Sequence, residues 1–102
     1  MRRTHSLIQL SLALMEQPDG RHWGYDLSKR AGLRSGALYP ILHRMLDEGW
    51  LDDGWESVDH ATRTRPPRRY YELTTTGKKE LGALIGEARS DDRFKVLVGR
   101  FA

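Results

Sequence analysis

Two groups of side chains in this 102-residue sequence have types and spacing suited to holding a polyanion. The first is Ser35, Gly36, Tyr39 and His43, with Arg34 just ahead of them; at helical spacing they fall on one side of a rod. Two small residues at the start of that rod allow close approach to a surface, and the hydroxyl and imidazole that follow can hydrogen-bond to it. The second group is Arg63, Arg65, Arg68 and Arg69, crowded into seven residues, with Asp59 the only acid between Ser57 and Arg68. Guanidinium groups offer planar forks that match phosphate oxygens. A solvated charge run is the ordinary reading of such a loop, but its place beside the rod favours phosphates flanking a nucleic-acid groove.

Other chemistry finds little support. His5, His22, His43 and His60 are widely separated, and the chain carries no paired-carboxylate signature, glycine-rich phosphate loop or nucleophile elbow. Metal ligands on a helix would need His or acid partners three or four residues apart; the nearest pair, His43 with Asp47, reads as a surface hydrogen bond. The expectation is therefore no catalytic residue, no metal and no cofactor.

The elements that must position these groups follow from periodicity and caps. A short helix from Tyr25 to Ala31 stops at Gly32, and Leu33 and Arg34 carry the chain to a second helix, with Ser35 as its N-cap and Gly49 as its stop. Leu38, Ile41, Leu42, Met45 and Leu46 recur at helical spacing and mark the buried side, leaving Ser35, Gly36, Tyr39, Pro40 and His43 outside. Pro40 removes one helix bond in the second turn. Such a pair is a helix-turn-helix, whose second helix enters the DNA major groove, or else an ordinary helical hairpin.

Upstream, Thr4 caps a helix to Gln17 with two apolar stripes, Leu7-Leu10-Leu14 and Ile8-Leu12-Met15. One stripe can pack on the helix pair and the other on a second subunit; the alternative is a central helix buried within its own domain. Gln17-Pro18-Asp19-Gly20 is a turn signal. Downstream, Trp50, Leu51 and Trp55 on one limb and Arg69 to Leu73 on the other predict a β-hairpin with a long polar tip. Thr74 then caps a helix bearing Leu81, Leu84, Ile85 and Ala88 on one face, weakened by Gly82 and Gly86. Ser90-Asp91-Asp92 looks like a fresh helix start before Phe94, Leu97, Val98 and Phe101. Leu7, Leu10, Leu14, Leu81, Leu84, Ile85, Phe94, Leu97 and Phe101 together form the expected dimer surface, with a tail folded over its own core as the alternative.

Composition sets the outer bounds. A hydrophobic content of 38% suits one small core, with residues 1–76 as the winged helix-turn-helix and 77–102 as a helical dimerisation segment. Net charge is only +3, yet 17 basic residues against 14 acids allow a locally basic face. The absence of cysteine excludes disulfides and thiolate zinc, which suits a reducing cytoplasm. Arg2 and Arg3 before an apolar run imitate a secretory signal, but Gln9, Ser6 and Ser11 dilute it and no small-x-small cleavage site follows. No run approaches the ~20 apolar residues of a membrane span.

The order of elements, mainly α with a small β-hairpin, is that of a winged helix-turn-helix plus a C-terminal helix, and the residues resemble the PadR-type transcriptional regulators. The matching pieces are Gly24-Tyr25-Asp26-Leu27, then Ser35-Gly36-Ala37-Leu38-Tyr39-Pro40-Ile41-Leu42 with Arg44-Met45, then Gly49-Trp50-Leu51, and finally Arg65-Pro66-Pro67-Arg68-Arg69-Tyr70-Tyr71 with Leu73-Thr74-x-x-Gly77. They span Leu7 to Leu84, and Pro40 is what the family carries in that helix. The resemblance implies that Ser35, Gly36 and Tyr39 lie against DNA. Ala37 stands where a threonine is usual, so only a methyl contact is open to it. The chain resembles the compact branch, in which the first and last helices build a dimer. Some compact relatives bind aromatic drugs between interface tryptophans; no tryptophan follows Trp55 here, so that site is not carried across. The reading that results is a homodimeric repressor on a pseudo-palindromic operator with half-sites ~34 Å apart. Its partners are double-stranded DNA and a second copy, and the sequence identifies no small-molecule effector. The competing reading is a winged-helix protein–protein module without DNA binding.

Overall fold

The computed structural model describes residues 1–57 and 66–101. Its elements run α1 (His5–Met15), β1 (His22–Trp23), α2 (Gly24–Ala31), α3 (Ser35–Asp47), β2 (Leu51–Trp55), β3 (Arg69–Leu73), α4 (Thr75–Arg89) and α5 (Lys95–Phe101). The chain is mainly helical with a small antiparallel sheet, the winged-helix arrangement.

Both apolar stripes of α1 are used within the chain. Leu7, Leu10 and Leu14 pack with Leu27 and Ala31 of α2, Leu38, Leu42 and Met45 of α3, and Leu51, Tyr71 and Leu73 of the sheet. Ile8 and Leu12 turn the other way, onto Ile85 and Ala88 of α4 and Phe94 and Val98 near α5. Each fully buried leucine stabilises this arrangement by about 1.5–3 kcal/mol relative to exposure. The helix is therefore a central pillar, and Leu7, Leu10, Leu14 and Leu81, each no more than 1% exposed, are corrected from the expected dimer surface to the core. An apolar stripe reads the same in sequence whichever neighbour covers it. The tail folds back on α1 and α4, the alternative arrangement. At its start the Arg93 guanidinium and backbone N–H both donate to Asp91, which lowers the pKa of that carboxyl to about 2.

Thr4 caps α1 by accepting from Leu7 N at 3.1 Å. The helix ends at Met15 rather than Gln17, and α2 opens one residue earlier than predicted, at Gly24. Ser35 is the first residue of α3 rather than its cap: the cap position is Arg34, whose extended backbone makes no side-chain cap bond. Gly32 and Gly49 close α2 and α3 at φ 69° and 75°. After α3, Trp50 N reaches back to Met45 O (2.8 Å) and Gly49 N to Leu46 O (3.1 Å), which satisfies carbonyls of the helix's last turn.

Among the described residues the sheet has three strands, one more than the hairpin that the sequence predicts. β2 and β3 pair antiparallel from Leu51↔Leu73 to Trp55↔Arg69, and β1 adds two residues to the other edge of β3, giving the order β1-β3-β2. The hairpin limbs match the predicted positions; β1, at two residues, is too short to carry an alternation signal.

A joint at Thr74 fixes α3 against the sheet and α4. Its hydroxyl donates to Gly49 O (2.6 Å) and accepts from Gly77 N (2.9 Å), while its own N–H donates to Trp50 O (3.0 Å). Gly77 is pressed against the Trp50 peptide so closely that a Cβ there would stand 2.8 Å from its carbonyl carbon. A second joint lies between α1 and α2. Arg30 donates to Ala13 O (2.9 Å) and its guanidinium lies 2.8 Å from His22 Nδ1, while His22 Nε2 lies 2.9 Å from Gln17 O. Arginine only donates, so Nδ1 accepts and the Nε2–H donates to Gln17, which defines the neutral tautomer.

Gly77→Ala is expected to destabilise the chain by about 2–3 kcal/mol, because the neighbour is backbone and cannot rotate away; urea unfolding measures it. Burial, with the adjacent Arg30 charge, lowers the His22 pKa below 6.5. The unfolded chain then takes up the proton first, so stability is full above about pH 6.5 and falls as pH drops through the folded-state value. Unfolding midpoints between about pH 8 and about pH 5 should decline more steeply for the wild type than for His22→Gln. Parallel declines would take His22 out of the acid response.

Candidate nucleic-acid interface

α3 is anchored by Leu38, Leu42 and Met45, all fully buried, and this fixes which residues face outward. Arg34, Ser35, Gly36, Tyr39, Pro40 and His43 are all exposed, as their spacing requires. At Gly36 a Cβ would meet nothing within 4 Å, so the fold does not demand a glycine; its effect is to keep the leading end of α3 bare. Pro40 has no N–H to give to the Gly36 carbonyl, and it sits where water can serve that carbonyl instead.

Tyr39 is held rather than loose. Its ring lies over Gly24, the first residue of α2, where a Cβ would come within 3.1 Å of the ring carbon bearing the hydroxyl. The residue nevertheless remains 41% exposed at the edge of α3, with its hydroxyl the atom nearest Gly24. Beside it opens a cleft of about 340 Å³ lined by Trp23, Gly24, Tyr25, Tyr39, Arg68, Arg69 and Tyr71. Local sequence pattern gives Trp23 and Tyr25 no place at such a site. They reach it because β1 joins the sheet and α2 begins directly after it, a placement set by long-range pairing. Trp23 Nε1 is buried and has no acceptor among the described residues, a state that costs about 1–3 kcal/mol. Tyr25 is largely exposed with Lys29 Nζ 4.7 Å from its ring centre. The buried Tyr71 phenol is pushed above its ordinary pKa by desolvation and stays protonated.

Arg68 and Arg69 do reach the side of the cleft near Tyr39, but each is engaged with an acid of the opposite limb. Arg69 Nε donates to Asp53 at 2.7 Å, and its guanidinium lies 5.3 Å from the Tyr71 ring centre. Arg68 sits 3.6 Å from Glu56 and 5.3 Å from the Trp23 ring centre, and its backbone N–H donates to the same Glu56 carboxylate. A count of acids within the loop misses both partners because they lie across the hairpin. The Arg69–Asp53 pair is partly exposed on both sides, and such pairs stabilise by only about 0.2–1 kcal/mol, so Arg69 can exchange for a stronger anion at little loss; the Glu56 carboxylate is buried and holds Arg68 more firmly. Arg63 and Arg65 lie outside the described residues.

Of the remaining residues expected at a dimer surface, Leu84 and Leu97 are partly buried, and Ile85 and Phe94 are covered by the chain's own helices. The Phe101 side chain lies outside the described residues. Between α1 and α4 runs a groove of about 490 Å³ whose lining includes Leu12, Met15, Gly82, Ile85 and Gly86. A Cβ built at Gly86 would have open space around it. Among the described residues no helix is long and apolar enough to cross a membrane.

Residues 12–83 match the family model described as Transcriptional regulator PadR-like family. Solved structures agree with the fold. A Streptococcus mutans UA159 protein is 28% identical with a TM-score of 0.67, covering 85% of this chain and 82% of that one. A PadR-like transcription factor from Bacteroides fragilis is 25% identical with a TM-score of 0.61, covering 96% and 92%. A PadR family transcription regulator from Clostridium difficile R20291 is 23% identical with a TM-score of 0.66, covering 93% and 96%, a likeness of fold.

Proposed function

Because the chain belongs to the PadR-like family of transcriptional regulators, we propose that it is a cytoplasmic repressor that binds a pseudo-palindromic DNA operator as a homodimer. The observation that carries this reading is the outward face of α3. It is bare at its N-terminal end, polar beyond it, and flanked by a cleft whose rim holds a tyrosine and two arginines, one of them readily exchangeable.

In this reading α3 lies in the major groove with Ser35, Gly36 and His43 at base edges, while Arg34 meets the adjacent phosphates. Tyr39, held by Gly24, directs its hydroxyl to a backbone oxygen at the groove wall. Arg69 leaves Asp53 for a phosphate, Arg68 stands beside it at the rim, and Arg63 and Arg65 extend that grip along the wing. The Ala37 methyl is left to touch a thymine methyl. Occupying the operator blocks access to it, which is repression by exclusion.

For the homodimer, support comes from the groove between α1 and α4 and from Val96, 67% exposed on the neighbouring α5. Residues 77–102, with the outer side of α1, supply the surface; the core leucines do not. Symmetric apposition of two copies would set the recognition helices about one DNA turn apart, ~34 Å.

Selection from random duplex DNA at a stated salt concentration should enrich a two-fold symmetric sequence; recovery of no consensus would favour the protein–protein module. Tyr39→Phe keeps the ring over Gly24 and removes one hydrogen bond to a charged oxygen, so affinity should fall about tenfold or more with folding unchanged. Gly86→Arg fills open space without strain in the monomer and should shift the sedimenting species from dimer to monomer. A dimer that survives it would move the interface away from α4.

A further inference from the structure

The flank of α3 opposite Tyr39 carries charge to which neither the tyrosine nor the wing arginines contribute. Tyr39 and Arg44 are five residues apart, ~140° around the helix, with Pro40 and His43 on the face between them. Beside Arg44 runs the N-terminal segment. Met1, Arg2 and Thr4 line a hollow of about 280 Å³ together with Pro40, Ile41 and Arg44. The segment is not adrift there: the Thr4 hydroxyl caps α1, and Leu7 is locked in the core. Arg3 turns to the far side and pairs with Glu87 of α4 at 3.1 Å. Arg2 and Arg44 are thus left on one hollow, both exposed, and neither has an acidic partner among the described residues. That sets them apart from the wing-base arginines, which are already neutralised by Asp53 and Glu56.

We propose that Arg2 and Arg44 form a second phosphate-gripping surface, which holds the DNA strand across the major groove from the Trp23–Tyr39 cleft. The inference rests on the DNA-binding reading and adds to it the contacts of the other groove wall. A helix with its side chains is about 10–12 Å across and the major groove about 12 Å wide, so an inserted α3 meets backbone on both flanks. On one flank it presents a tyrosine and arginines that must first release acids. On the other it presents two guanidinium groups that line one hollow and have no acidic partner among the described residues. The hollow is wide enough for a phosphate group and has polar lining from Thr4 as well as the two arginines. An acidic protein would satisfy the charges equally, but it would not need them at the edge of a helix face left bare for a groove.

The test is the salt dependence of binding to a short mixed-sequence duplex and to the selected operator, for the wild type, Arg2→Ala, Arg44→Ala, the double variant and Arg44→Lys. Removing one phosphate-bound cation should reduce the slope of log K against log salt by about 0.9, so the double variant should fall by about 1.8 and Arg44→Lys little. The reductions should be of similar size on both duplexes, since backbone contacts carry no sequence information. Wild-type slopes in both alanine variants, with DNA binding intact, would overturn this flank and leave the DNA-binding reading standing. A reduction confined to the selected operator would place Arg44 at a base edge and overturn the backbone assignment. A wild-type chain with no salt-dependent DNA binding would overturn both. Thermal melting checks each variant's fold; if Arg44→Ala melts early, Arg2→Ala decides, because its side chain is exposed ahead of the first helix.

Discussion

A single hydroxyl at Thr74 governs how the rest of the molecule is arranged. It donates to the carbonyl of Gly49, where α3 has just ended, and accepts from the amide of Gly77, where α4 is beginning. The same residue's N–H holds the Trp50 carbonyl at the entry to β2. Three elements are thereby tied together at one residue: the exit of the outward-facing helix, the first strand of the wing and the start of the last long helix. The close packing of Gly77 on the Trp50 peptide removes any slack. Without this joint α3 would still be an amphipathic helix on a leucine core, but its angle to the sheet, and so the width of the Trp23–Tyr39 cleft, would no longer be set.

The charges make sense only against that fixed frame. A net charge of +3 spread over the chain would predict a weak field. The structure instead sorts its arginines by partner. Arg3, Arg21, Arg30, Arg68, Arg69 and Arg93 each have a carboxylate nearby, while Arg2, Arg34 and Arg44, all beside α3, and Arg89 on α4 have none among the described residues. Three unpaired arginines therefore border the bare helix face, and the paired Arg68 and Arg69 stand at the rim of its cleft. For a partner as densely charged as a nucleic-acid backbone, the unpaired set acts at once and the paired set after exchange.

Much of this is legible in the sequence because it is local. Gly32 and Gly49 as helix stops, Thr74 as a cap, and the separation of Leu38, Leu42 and Met45 from Ser35, Gly36, Tyr39 and His43 all follow from residues within one or two turns of each other. What escapes a reading of sequence depends on partners far along the chain. β1 is two residues long and exists only because β3 offers an edge. The neutralisation of Arg68 and Arg69 by Glu56 and Asp53 depends on strand register, which a local count of charges does not contain. Leu7, Leu10 and Leu14 are recognisable as an apolar stripe but not as an inward one, since hydrophobicity specifies burial and not the surface that provides it. Arg44 is visible in sequence only as part of a motif, because its neighbour Arg2 approaches it only in three dimensions.

Gly24 and Tyr39 are separated by fifteen positions and share one small volume, the ring occupying the space that any larger residue at 24 would fill. A larger residue at 24 would consequently have to displace the Tyr39 ring, whereas position 39 can change without disturbing Gly24. A lineage, or an engineer, seeking a new target sequence inherits Gly24 as fixed for as long as Tyr39 is kept, with Ser35, Gly36, Ala37 and His43 as the letters that can be rewritten around it.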